Sequence, residues 1–298
     1  MTASLLLYAA CLVCAAGTAS LVAPVRVLGI RTRRVGFALA AAGLVAVTFT
    51  LSWPASETVV LARLTALDEF APAYQFSEQH AIPVRASAIQ VYNAIMTVSA
   101  DEIPGFRLLA WMRRGGTTGP ESILNPPDGV PLVRVATRTS FVTLAARPGR
   151  EFVMGTVVIA PIGVRLAIDS SPESFKSLTQ PGFAKATLGF RIDPRRDGWC
   201  VLRTETRITA TDYVSRATFA RYWRVIAPGS ALVGVMWLRA IKVRAETVAG
   251  AQRSPPSSAW KARIAAPVWP APDAQPLSRS LGWSRVGLCR GNYSGCWD

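Results

Sequence analysis

The spacing of apolar positions changes along the chain, and each change marks a new kind of element. Residues 1–24 and 35–56 carry no charged side chain. Each run reaches the roughly 20 residues needed to cross about 30 Å of hydrocarbon, which predicts two spanning helices over 3–25 and 35–53. From Tyr74 the pattern alternates, and one parity reads Tyr74, Phe76, Glu78, His80, Ile82, Val84. That is a strand whose apolar face carries two polar groups, with Pro83 marking a sheet edge or a bulge. Helical spacing through Ile89, Val91, Ile95 and Met96 predicts a helix over 86–97. Ser99 and Glu102 form a capping box for a second helix over 100–114, in which Pro104-Gly105 should confine the regular part to its second half.

A Gly/Pro-rich stretch at 115–129, with Glu121-Ser-Ile-Leu-Asn125 at its centre, predicts a long loop. Strands are expected over 132–137, 140–145, 151–159, 164–168, 186–192 and 199–209. In the last of these, Cys200, Leu202, Thr204, Thr206 and Ile208 share a face, and Arg203, Glu205 and Arg207 share the other, which its alternating charges assign to solvent. Thr211 or Asp212 can cap a helix through Phe219, Tyr222, Trp223 and Ile226, with an interruption expected at Pro228-Gly229. A terminal helix over 228–246 follows, with Val233, Met236, Trp237, Ala240 and Ile241 on one stripe that needs a sheet to lie on.

The order predicts an α+β protein: an antiparallel sheet wrapped around a long C-terminal helix, preceded by two transmembrane helices. The expected divisions are a membrane hairpin at 1–54, a linker at 55–72, the folded domain at 73–248 and a disordered tail at 249–298, where Pro, Ser, Ala and scattered Trp replace any apolar period. Arg26, Arg31, Arg33 and Arg34 crowd the connector between the two apolar runs. By the positive-inside bias this puts the connector in the cytoplasm and the folded domain outside it. With two spans and no charge within them, anchoring is the economical role and a transport pathway has nothing to build on.

Composition changes the picture little. Half of the residues are hydrophobic and the formal net charge is +15, with arginine supplying 29 of the 33 positive charges. The excess is spread along the chain rather than gathered in one stripe, so no nucleic-acid partner is expected, whereas a basic surface beside a bilayer favours anionic headgroups. The glycines match no phosphate-binding spacing. With one histidine in the whole chain there is no zinc motif, and there is no nucleophile elbow, so neither a metal nor a cofactor is expected. Cys11 and Cys14 fall inside the first apolar run and read as small packing residues. Cys289 and Cys296 could close a loop in an oxidising compartment.

Four runs, Glu121-Ser-Ile-Leu-Asn125, Pro181-Gly-Phe-Ala-Lys-Ala186, Thr204-Glu-Thr-Arg207 and Phe219-Ala-Arg-Tyr-Trp-Arg224, together with the strand, two helices, strands and terminal helix in that order, resemble bacterial members of the START-like or SRPBCC superfamily. The resemblance covers residues 73–246. It implies a helix-grip fold and a cavity between sheet and terminal helix that holds a hydrophobic small molecule or lipid, here at a bacterial plasma membrane. Polyketide cyclase/dehydrase-like enzymes belong to the same superfamily, which shares no catalytic motif, so the likeness bears on fold more than on activity. In that cavity Tyr74, Phe76, Glu121, Asn125 and Trp237 are the expected ligand-binding residues. Glu78 and His80, two strand positions apart, are the candidate acid/base pair if the protein is an enzyme. A membrane scaffold is a third reading.

Overall fold

The computed structural model describes residues 2–23, 29–30, 32–164 and 171–253. Helices α1 (Thr2–Val22) and α2 (Arg33–Ser52) pack antiparallel along a seam of small residues. A Cβ at Gly43 would lie 2.5 Å from the Cys14 nitrogen, and one at Gly17 would lie 2.3 Å from the nitrogen of Ala40. The two backbones touch there, which only glycine permits. Leu5, Leu6, Leu12, Phe37, Leu44 and Phe49 point outward from the pair.

Strand β1 (Thr58–Val59) pairs with β2 (Ala73–Tyr74), and α3 (Ala66–Phe70) lies between them in the chain, started by a capping box of Thr65 and Asp68. The segment expected to be a linker is thus folded, with Ala66, Leu67 and Asp68 buried. Strand β3 (Phe76–Val84) leads into α4 (Ala88–Thr97), a 3-10 turn at Ala100–Glu102 and α5 (Phe106–Arg113). The Ser99–Glu102 box is made, and Gly105 at φ 73° separates the turn from α5, as Pro104-Gly105 foretold. Then come α6 (Leu132–Thr139), β4 (Val142–Arg147), β5 (Glu151–Ile159), α7 (Pro172–Ser177), β6 (Ala184–Pro194), β7 (Cys200–Ala210) and α8 (Tyr213–Arg253).

The five long strands form one antiparallel sheet in the order β3-β7-β6-β5-β4. Alternation sorts its residues cleanly. Val84, Phe152, Met154, Phe190, Ile192 and Leu202 face α4, α6 and the second half of α8, burying Val91, Ile95, Leu132, Trp237, Leu238 and Ile241. On the reverse face Leu144 and Val153 meet Leu67 of α3 and Phe175 of α7. Gly155 admits that ring, since a Cβ there would sit 2.6 Å from Phe175.

Four expectations are corrected. Residues 132–137 are helical, because Leu132, Val133, Val135 and Ala136 bury at i, i+1, i+3 and i+4 while Arg134 and Arg138 stay out. The two valines suggested a strand, but packing against α4 overrides their propensity. Pro228 does not interrupt α8, a single helix of 41 residues, about 60 Å long at 1.5 Å per residue. Its first half is held by Phe219 and Trp223 against Phe76, Ile208 and Ala210, and its second half by the main core, so the proline is carried across. On the charged face of β7 Arg203 is exposed as expected, but α3 covers the other end and leaves Arg207 6% exposed. The expected hollow between sheet and terminal helix is filled by Trp237, Leu238 and Ile241 against Phe190 and Leu202. The strand expected at 164–168, the tail beyond 253, Cys289 and Cys296 lie outside the described residues.

Candidate functional site

The pleat of β3 turns Phe76, Glu78, His80 and Ile82 toward α8, and the pair anticipated there is made: His80 Nε2 lies 2.9 Å from Glu78 Oε1. Their side chains are 20% and 10% exposed. Helix α8 crosses directly over them at Gly234, where a Cβ would meet His80 Cδ2 at 2.9 Å and Glu78 Oε1 at 3.1 Å. One turn further, Trp237 packs edge-on against Phe190, with ring centroids 5.2 Å apart. Across the sheet His80, Thr204 and Phe190 stand in one row of register. Under these two turns of α8, Glu78 Oε2 and Trp237 Nε1 are buried with no hydrogen-bond partner among the described residues. One is an acceptor and the other a donor, each at a desolvation cost of about 1–3 kcal/mol when unmatched.

The remaining predicted residues do not join them. Tyr74 belongs to β2, not β3, and the break at Gln75 turns it to the opposite side of the sheet, where its ring covers the Arg207 guanidinium at 4.7 Å. Phe76 keeps its expected face but packs against Phe219 and Trp223 nearer the start of α8. Glu121 pairs with Arg138. Asn125 donates from Nδ2 to the Gly119 carbonyl at 2.7 Å and accepts from no site residue, so it shapes its own loop.

A cavity of about 910 Å³ lies on the other face of the sheet, between the 62–68 segment and β3, β7, β6 and β5. Its floor is ionic: Asp193 accepts from Arg191 at 2.7 Å and Arg203 at 2.8 Å, and Asp68 accepts from Arg207 at 2.8 Å. Burial opposes ionisation of Asp193, but the hydrogen bonds and charges of Arg203 and Arg191 outweigh it and hold its carboxyl below the ordinary range. Asp68 behaves alike: burial is outweighed by donors from Thr65, Arg207 and the amides of Leu64 and Thr65. Sequence reasoning missed this groove. The one available signal was Thr65-Ala-Leu-Asp68, a capping box that announces a helix inside the supposed linker.

Among the described residues no cluster of three or more His, Cys, Asp or Glu is placed to hold a metal. Cys11, Cys14 and Cys200 are unpaired. Cys200 donates to the Ala86 carbonyl at 3.2 Å, and burial pushes its thiol up, so it is a packing residue rather than a nucleophile. No protein-family model matches the chain, and no curated protein matches it.

Proposed function

We propose that the protein is a membrane-anchored binding domain for an amphiphilic small molecule or lipid, held between the sheet and α8. The observation that carries the reading is the buried, unmatched pair of Glu78 Oε2 and Trp237 Nε1 beside His80. An apolar ligand bearing one hydroxyl would satisfy both, donating to the carboxylate and accepting from the indole. The helix-grip arrangement is supported by β3, the first long strand, pairing with β7, the last, and by α4 and α5 being inserted between β3 and β4. Anchoring is supported by α1 and α2, which together with α8 are long and apolar enough to cross a membrane. The second half of α8 is covered by the sheet, so α1 and α2 are the two spans in this reading, with the arginine-rich connector cytoplasmic and the domain outside.

Because core side chains fill the space beneath α8, ligand entry requires the turns around Gly234 to move outward. Photolabelling of the full chain in nanodiscs with a diazirine-bearing fatty acid tests this. Adducts on β3 and on residues 233–241 are expected, and these should fall on Gly234→Trp. Adducts confined to α1 and α2 would overturn the reading. The 2.9 Å bond between His80 and Glu78 favours a second one, in which the pair moves a proton on a carbonyl-bearing ligand as in cyclase- or dehydrase-like enzymes. His80→Gln should then stop conversion of the bound compound while leaving its photolabelling intact.

A further inference from the structure

Helix α2 ends at Ser52, and the next residue, Trp53, is exposed with its ring edge-on to Phe49 at 5.1 Å. A tryptophan at the end of an apolar span marks the boundary between hydrocarbon and water. A second cavity, 190 Å³, opens there, lined by Leu51, Trp53, Tyr213, Arg216 and Arg221. Arg224 adjoins it: its guanidinium donates to the carbonyls of Leu51, at 3.2 Å, and Trp53, capping the end of α2, and the residue is 5% exposed. Arg216 donates to Glu57 at 3.0 Å. The Nε atoms of both Arg216 and Arg224 are buried with no partner among the described residues.

Charge is unbalanced at this spot. Arg221 lies close enough to Arg224 to repel it. The neighbouring acids are Glu57, taken by Arg216 and Gln75, and Asp212, whose oxygens accept from Gly182, Val214 and Ser215 at the start of α8. Three guanidinium groups therefore meet one carboxylate, Glu57, that is already engaged by Arg216 and Gln75. A planar fork of donors around a small cavity suits a phosphate. Tyr213, 75% exposed in its lining, and the neighbouring Leu51, Trp53 and Pro54 give an apolar rim that suits acyl chains and not a free inorganic anion.

We infer that the junction of α2 and α8 binds the phosphate of an anionic membrane lipid. The inference rests on the anchored reading above. It is tested with the full chain in nanodiscs of phosphatidylcholine alone or mixed with phosphatidylglycerol, by native mass spectrometry of the lipids retained. Phosphatidylglycerol should be retained preferentially, and Arg221→Gln should lower that preference about fivefold without changing the melting temperature. Arg216→Gln combined with Arg221→Gln should abolish it. Equal retention of the two lipids, or an unchanged preference in the double variant, would overturn the inference, as would displacement of the lipid by inorganic phosphate. Alkaline carbonate extraction separates the two claims. A chain that stays in the bilayer but shows no lipid preference sinks only this one, whereas a chain released by carbonate sinks the anchoring as well.

Discussion

The Arg207 guanidinium is the most heavily engaged side chain on the outer face of the sheet. It donates to Asp68 at 2.8 Å, Glu205 at 2.6 Å and the Ala71 carbonyl at 3.1 Å, under the ring of Tyr74. Asp68 and Arg207 are both 8% exposed at the side chain, so losing one strands the other. Arg207→Leu should therefore cost about 3–5 kcal/mol, and pairing it with Asp68→Leu should recover part of that. Chemical unfolding of the single and double variants measures both. The direction of the Asp68 shift also fixes a pH dependence. Its folded-state pKa lies below the ordinary carboxylate value, so the unfolded chain binds more protons in the window between the two. This contribution is complete above about pH 5 and is lost as pH falls through the folded value. Asp68→Asn should flatten the acid limb of a stability-against-pH curve.

Elements differ in how far they could be read from the residues that make them. The strand at 76–84 and the helix at 88–97 were legible because each buries one face or stripe, and period follows directly from that, whereas the strands at 151–159 and 184–194, buried on both faces, were legible from their apolar runs between turn residues. Helix α6 was not, since eight residues with two β-branched valines satisfy either period and only their neighbours decide. Helix α3 was hidden by its length, and with it the burial of Arg207, whose alternation with Glu205 is the same whether the covering layer is water or protein. Of the candidate site, the Glu78–His80 pair was legible from parity alone. Tyr74 was misassigned because one residue between β2 and β3 reverses the face. The unbroken α8 yields a prediction of its own: Pro228→Ala returns an amide hydrogen to the Arg224 carbonyl and should stabilise the protein by about 1–3 kcal/mol, measured as a rise in denaturant midpoint. In the hairpin, Gly43→Leu forces a side chain into the Cys14 backbone and should separate α1 from α2, read as loss of a disulfide engineered across the seam.

At the scale of the molecule, the proposed orientation rests on four arginines between the two apolar runs. A reporter that fluoresces only in the cytoplasm, fused after Arg253, should stay dark, and bright signal would invert the topology.

Helix α8 belongs to both halves of the protein. Near its start, Tyr8 of α1 donates to the Val225 carbonyl at 2.6 Å and Arg224 grips the end of α2, while sixteen residues further Ile241 is fully buried in the core. In the anchored reading proposed above, one continuous helix thus replaces the flexible tether by which anchored domains usually hang from a bilayer. In that reading a tilt or rotation of α1 and α2, whether from bilayer thickness or lateral pressure, should be levered onto the turns above Glu78 and His80.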